Sequence, residues 1–370
     1  MLSHMEQDRA FFAQMEAEIL DIEAQMAALV QSRRAVRDAQ ELIWERLQSY
    51  KYPVLSLPNE IVAEIFIHTI PPYPDPPPPR SCPSTVLTQI CRQWRETAIG
   101  TPQLWKTIYL VAYNLPIPQR RSFDSQQAFR QASLWVKRSG SCPLSVYVED
   151  LRPILPVLLP ERMRLEHLRL SILDDPLVDL QEALLPSLRS LDLTRTRAHS
   201  QTHFSLHSAP LLRSVIFRST GGGIIDLPWA QLTFLKVWIE RTADFRRCIL
   251  RQARRLVHCA FYCRDVVRNT EGVGSEISLH HLESLEIRLN AGGGIQMDDV
   301  LESLMVPNLQ ILHVSEATLG PQPIETLKYF ISKSHCKLKK MEVVNVAVVE
   351  PASYRAAFTS IARVVIDRMV

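Results

Sequence analysis

The sequence predicts an α/β chain: a long N-terminal helix, a small helical module, then an irregular solenoid that builds a curved parallel sheet. Three observations predict it. Residues Met5 to Tyr50 contain neither Gly nor Pro. Two short amphipathic stretches follow, separated by a proline run. Beyond Gly140 the pattern Leu-x-x-Leu-x-Leu recurs eight times. The expected organisation is a long helix or coiled coil over 1–52, the helical module over 53–110 and a linker helix over 111–140. The repeats then run over 141–370 and end in a capping helix.

The first segment is rich in Ala, Glu, Gln, Arg and Leu, all good helix formers. Two heptad series run through it. One is Met15, Ile22, Leu29, Val36, Ile43 and Tyr50. The other is Met5, Phe12, Ile19, Met26, Arg33, Gln40 and Leu47. Together they form a coiled-coil-like seam with polar breaks at Arg33 and Gln40. The seam fits a homodimer of two paired chains. It equally fits a bent helix or helical hairpin packing on its own chain.

The module opens with Leu57-Pro58-Asn59-Glu60-Ile61-Val62-Ala63-Glu64-Ile65-Phe66, with Ser56 as a helix cap. Residues 71–83 hold eight prolines and favour polyproline II. They read as a stiff surface excursion, or as a docking site for an SH3-like or WW-like domain. The chain resumes as Leu87-Thr88-Gln89-Ile90-Cys91-Arg92-Gln93-Trp94-Arg95 and closes on Thr101-Pro102-Gln103-Leu104-Trp105. Ile61, Ile65 and Phe66 make one apolar stripe; Leu87, Ile90, Cys91 and Trp94 make another. A unit of roughly 50 residues cannot bury both stripes internally, so a partner surface is expected.

This stretch resembles an F-box, the module that docks onto the Skp-type adaptor of cullin–RING ubiquitin ligases. The resemblance extends to the long helix just before the box, as in fungal F-box proteins. It implies that Leu57, Pro58, Ile61, Ile65, Phe66, Leu87, Ile90, Cys91 and Trp94 contact the adaptor or hold the contact surface together. Trp105 is read as the anchor between the box and the next domain. The long proline insertion departs from the shorter linkers of many F-boxes.

The linker helix spans Ser122 to Ser139, with Phe129, Ala132, Trp135 and Val136 inward and Gly140 as its stop. The repeats begin after a first strand at Leu144–Val148. Their apolar triplets start at Leu165, Leu188, Leu212, Leu232, Leu256, Leu282, Leu309 and Leu338. The spacings run from 20 to 29 residues. This period and motif resemble leucine-rich repeats, in which each strand buries alternate side chains and stacking continues the core. The family usually places Asn or Cys at the ninth repeat position; only Asn290 obeys. Return helices are expected at Thr242–Leu256 and Pro323–Ser332. A capping helix is expected at Ser353–Met369, with Tyr354, Phe358, Ile361 and Val365 on one stripe.

The same repeat phase places two rows of side chains on the sheet face away from the core. The first reads Arg169, Asp192, Ile216, Lys236, Ala260, Glu286, His313 and Glu342. The second includes Arg218, Trp238, Tyr262 and Arg288 on consecutive rungs. Trp, Tyr and Arg dominate interface hot spots, so these four are the candidate substrate-binding residues, suited to an acidic or phosphorylated segment. The alternative is that loops cover this face or that another edge binds. Arg246, Arg247, Arg251, Arg254 and Arg255 form a basic run read as a solvated helix face.

The whole reads as a substrate-recognition subunit of an SCF-type ubiquitin ligase, with an unknown protein substrate. The alternative is a leucine-rich-repeat interaction scaffold without ligase association. No catalytic set stands out. The triplets Gly221-Gly222-Gly223 and Gly292-Gly293-Gly294 lack the Gly-Lys-Ser/Thr ending of a phosphate loop. His258, Cys259, Cys263, His280 and His281 are a weak zinc candidate, because Cys259 points inward and Cys263 is read on a turn. No cofactor or metal is therefore expected. A net charge of +3 argues for neither nucleic acid nor membrane. Seven scattered cysteines point to a reducing compartment, cytoplasmic or nuclear.

Overall fold

The computed structural model describes residues 2–49, 57–71, 83–110, 125–148, 153–172, 184–195, 204–206, 208–219, 225–239, 249–263, 276–289 and 298–368. Ser56, the proline segment 72–82, both glycine triplets, Asn290 and the opening of the return segment at 242–248 lie outside them. The chain divides into two units, Met1–Pro58 and Asn59–Val370.

The first unit contains one uninterrupted helix, α1 (Leu2–Ser49). With no Gly or Pro to break it, it runs about 70 Å. No hairpin forms. Its seam side chains are exposed: Ile19 by 56%, Met26 by 60%, Leu29 by 69% and Val36 by 65%.

The second unit begins with α2 (Asn59–Ile67), α3 (Pro83–Ile90) and α4 (Arg92–Ile99). Val62 and Phe66, one turn apart, are the buried face of α2. Pro83 opens α3, where a missing N–H costs nothing. Cys91 is not part of a continuous stripe. Its extended backbone (φ −151°) ends α3, and its Sγ accepts the Trp94 N–H at 3.5 Å as the cap of α4. Asn59 Oδ1 accepts from Gln93 Nε2 (3.3 Å) and Thr97 Oγ1 (3.4 Å), tying α2 to α4.

Eleven parallel strands then form one sheet in chain order. They are β1 (Thr107–Leu110), β2 (Leu144–Val148), β3 (Leu165–Ile172), β4 (Ser190–Arg195), β5 (Ser214–Ser219) and β6 (Phe234–Ile239). The series continues with β7 (His258–Cys263), β8 (Ser284–Leu289), β9 (Ile311–Ser315), β10 (Lys340–Val346) and β11 (Arg363–Arg368). The solenoid-like sheet follows from the sequence period. Each return segment carries the chain back to the same starting edge, so successive strands are neighbours and parallel. Each triplet spans the entry to its strand, and its apolar members are buried in every repeat from Leu165 to Val343.

Most repeats enter their strand through a tight turn closed on the first Leu. Leu188 N–H donates to Leu185 O (3.2 Å), Leu212 to Ala209 (3.2 Å), Leu282 to Leu279 (3.3 Å) and Leu309 to Val306 (3.2 Å). Pro186, Pro210 and Pro307 sit at the second position of three of these turns, where their fixed φ fits. One residue further on, backbone bonds link repeat to repeat. Arg213 N–H reaches Arg189 O (3.0 Å), Thr233 reaches Arg213 (2.9 Å), Val257 reaches Thr233 (2.8 Å) and Glu283 reaches Val257 (2.9 Å).

Between β1 and β2, α5 (Ser125–Arg138) covers the start of the sheet through Ala128, Ala132, Trp135 and Val136. Phe129, expected inward, is 41% exposed; Ala128 takes its place. Gly140 (φ 54°) ends the turn. Arg164 clamps this corner, donating to Ser139 Oγ (2.9 Å), Cys142 O (2.8 Å) and Val136 O (3.2 Å).

Three expectations are corrected. Within the expected return helix Thr242–Leu256, the described residues give only a π-helical pair at Ile249 and Leu250, followed by turns over 251–255. Cys263 ends β7 and is not on a turn. The capping helix stops early: it spans Pro351–Ala357, and the chain then enters β11. The reason is legible afterwards. Ile361 N–H closes a turn on Phe358 O (3.1 Å), and Ile361, Val364 and Ile366 repeat the apolar triplet. The β-branched run Val364-Val365-Ile366 favours a strand over a helix. The expected helix Pro323–Ser332 is present as Pro323–Ser334.

Candidate functional site

Two surfaces emerge. The first lies on α2–α4. Phe66 is 1% and Leu87 is 7% exposed, so both are core and neither offers contact surface. Trp94 is half-buried and packs edge-on against Phe66, ring centroids 5.0 Å apart. Its role is to seal the core. Ile61 (49%), Ile65 (50%) and Ile90 (54%) point outward, joined by Val86 (42%) and Ile99 (41%), which the sequence stripes omitted. Helices α2 and α3 thus each show solvent an apolar pair one turn apart, Ile61/Ile65 and Val86/Ile90. Leu57 and Cys91 are half-buried, and Pro58 is exposed. Leu57 and Pro58 fall in the N-terminal unit.

The second surface is the sheet face opposite the leucine core. Strand register aligns Thr194, Arg218 and Trp238, then Tyr262 and Arg288, rung by rung. The rings of Trp238 and Tyr262 stack with centroids 4.4 Å apart and planes 6° apart. Parallel strands in register bring flat rings face to face at this spacing. Arg218 Cζ lies 4.6 Å above the Trp238 centroid. Lys236 Nζ, from the neighbouring row, sits 5.2 Å from Trp238 and 5.1 Å from Tyr262. Both cations favour the ring faces.

The carboxylates of the first row complete the array. Asp192 is buried, with a side chain 8% exposed. It accepts from Arg218 Nη1 at 2.6 Å and pairs with Arg169 Nε at 3.2 Å. Glu286 accepts the Tyr262 hydroxyl at 2.9 Å. Arg288 Nε lies 2.5 Å from the same Glu286 oxygen as an ion pair, outside hydrogen-bonding alignment. Burial and this hydrogen bond push the Tyr262 hydroxyl up to about 12, so it remains a donor. Sequence reasoning named the four second-row residues but left Asp192, Lys236 and Glu286 out of the site. The signal was a charged residue two positions before each rung's second-row residue, as in Asp192 before Thr194, Lys236 before Trp238 and Glu286 before Arg288. Chemically, the face offers a flat aromatic platform bracketed by guanidinium groups, suited to recognition.

At the far end, His313 lies 3.8 Å from Glu342 and 3.4 Å from Lys340 Nζ. Burial lowers its pKa, with Glu342 opposing and Lys340 reinforcing the shift. His167 is likewise lowered, chiefly by burial. A histidine lowered in the fold binds its proton more weakly than in the unfolded chain. The unfolded state therefore gains protons first as pH falls below about 6.5. Stability is expected to drop from pH 7.5 to 5.5, and His313→Gln should reduce that drop. Urea midpoints at both pH values check this; an identical drop in the variant would refute it.

Among the described residues, no group of three or more His, Cys, Asp or Glu has metal-binding geometry. Burial pushes the Cys259 thiol up to about 12, which removes it as a ready nucleophile. No helix among the described residues is long and apolar enough to cross a membrane. The chain matches no protein-family model and no curated protein sequence.

Proposed function

We propose that this chain is an F-box and leucine-rich-repeat substrate receptor of a cullin–RING ubiquitin ligase. The helical segment 53–110 docks a Skp-type adaptor, and the repeats over 141–370 hold a target protein. The long helix over 1–52 and the linker over 111–140 complete the arrangement, in the cytoplasm or nucleus. The receptor contributes proximity, raising the target's effective concentration beside a ubiquitin-conjugating enzyme. The observation that carries this reading is the pair Ile61/Ile65. It stands about half exposed, beginning at the Ile of Leu-Pro-x-Glu-Ile, above a core closed by Phe66 and Trp94. The aromatic platform between Arg218 and Arg288 supports the repeat face as the target side.

The test is a pull-down with purified adaptor. The variant Ile61→Ala/Ile65→Ala should lose adaptor binding by roughly tenfold or more while its unfolding midpoint changes little. Trp94 is a poor probe, because removing it opens the Phe66 core. Trp238→Ala/Arg288→Ala should keep the adaptor and lose the target. Failure of the wild-type chain to bind adaptor would refute the ligase reading and leave a repeat-based scaffold.

A further inference from the structure

We infer that α1 pairs with α1 of a second copy, and that the two helices run antiparallel. This inference does not rest on the receptor reading. It starts from a helix of 48 residues whose apolar seam is exposed along its length. An exposed seam of this length calls for a partner helix. The charge pattern identifies that partner.

Residues 6–23 carry six acidic side chains and one Arg, whereas Arg33, Arg34 and Arg37 cluster in the second half. In a parallel, in-register pair, each position meets itself. Arg33 would then face the partner's Arg33 inside the seam, and the acidic halves would lie together. Reversing one helix removes both conflicts. Antiparallel seams match one heptad series against the other, so paired positions have a constant sum. With Arg33 set against the partner's Ile22, Ile19 meets the partner's Val36 and Met26 meets the partner's Leu29. This register centres the pair near residues 27 and 28, close to the middle of α1, so nearly the whole helix overlaps. It also sets Glu23 beside the partner's Arg33, and Glu16 and Glu23 beside the partner's Arg37. Two-fold symmetry doubles each contact. The polar break at Arg33 therefore sets orientation rather than merely weakening the seam.

The experiment uses the full chain. Sedimentation should give a dimer mass at micromolar concentration. Arg33→Glu/Arg37→Glu should weaken self-association on the order of a hundredfold, because attractive contacts turn repulsive at several symmetric places. Adding Glu16→Arg/Glu23→Arg to the same chain should restore it. In a parallel pair the first variant merely exchanges Arg–Arg for Glu–Glu and changes little. Orientation is read independently by mixing an Ile19→Cys chain with a Val36→Cys chain, with oxidised glutathione as oxidant. The mixture should give a disulfide-linked pair above the wild-type background, and neither chain alone should. Linkage of the Ile19→Cys chain to itself, a monomer at 100-fold higher concentration, or a mass above the dimer would each overturn the inference.

Discussion

Replacing Trp105 with Ala should destabilise the second unit by about 4 kcal/mol, in the range seen for buried aromatic truncation. Trp105 is 1% exposed and closes the short helical turn Pro102–Trp105 just before β1. Its Nε1–H donates to Ala98 O at 2.8 Å, gripping the end of α4. Arg138 Cζ lies 4.4 Å over its ring, and Trp135 packs at 6.2 Å, so α5 converges on the same side chain. One residue thus joins the helical segment, the linker helix and the first strand. Trp105→Phe keeps most of the area and loses the N–H bond, so it should cost about 1–2 kcal/mol. Urea unfolding of the three chains decides the matter. An Ala variant within 1 kcal/mol of wild type would mean the site collapses without penalty.

Glu316→Ala should cost about 3 kcal/mol, concentrated at the C-terminal end of the sheet. Glu316 is 2% exposed. Its Oε2 accepts the N–H groups of Ala347 (2.6 Å) and Val348 (2.7 Å). Its Oε1 accepts the Val349 N–H (3.1 Å) and the Tyr354 hydroxyl (2.8 Å). Burial first, then this bond and the Glu316 charge, hold the Tyr354 pKa far above its ordinary value, so the hydroxyl stays a donor. Without the carboxylate, the backbone N–H groups of Ala347, Val348 and Val349 and the buried Tyr354 hydroxyl lose their acceptor. Amide exchange at Ala347–Val349 should accelerate on the order of a hundredfold. Glu316→Gln retains one carbonyl acceptor and should fall between. Unchanged exchange in Glu316→Ala would show that water replaces the carboxylate at no cost.

The repeated part of the fold was largely legible in the sequence because its signal is redundant. Eight triplets carry the same apolar phase, so one irregular rung does not shift the register. The expected rows at Arg218, Trp238, Tyr262 and Arg288 follow from that phase alone. Single-copy features were harder to read. Helical spacing groups Ile65 with Phe66, yet only backbone direction decides that Phe66 turns inward and Ile65 outward. Cys91 fits an apolar stripe by type, but its thiol instead caps a new helix. At the C-terminus, Tyr354, Phe358, Ile361 and Val365 satisfy a helical period while Ile361, Val364 and Ile366 satisfy the repeat. Continuation of the sheet on β10 decides between them. Glu316 left no trace at all. Three of its four partners are backbone amides about thirty residues away, which a side-chain pattern does not encode.

A sheet laid down rung by rung has two ends, and each end is an unfinished ladder. Among the described residues, the outermost strands are β1 and β11, each paired on one side only. Their free backbone groups would accept a strand from another molecule. On β11 the β-branched run Val364-Val365-Ile366 is just such a template, but exposed Arg363 precedes it and exposed Asp367 follows it. Fixed charges at both borders oppose the drying that strand addition requires. These two residues therefore act as gatekeepers: they keep a structure that grows by stacking from continuing into its neighbour.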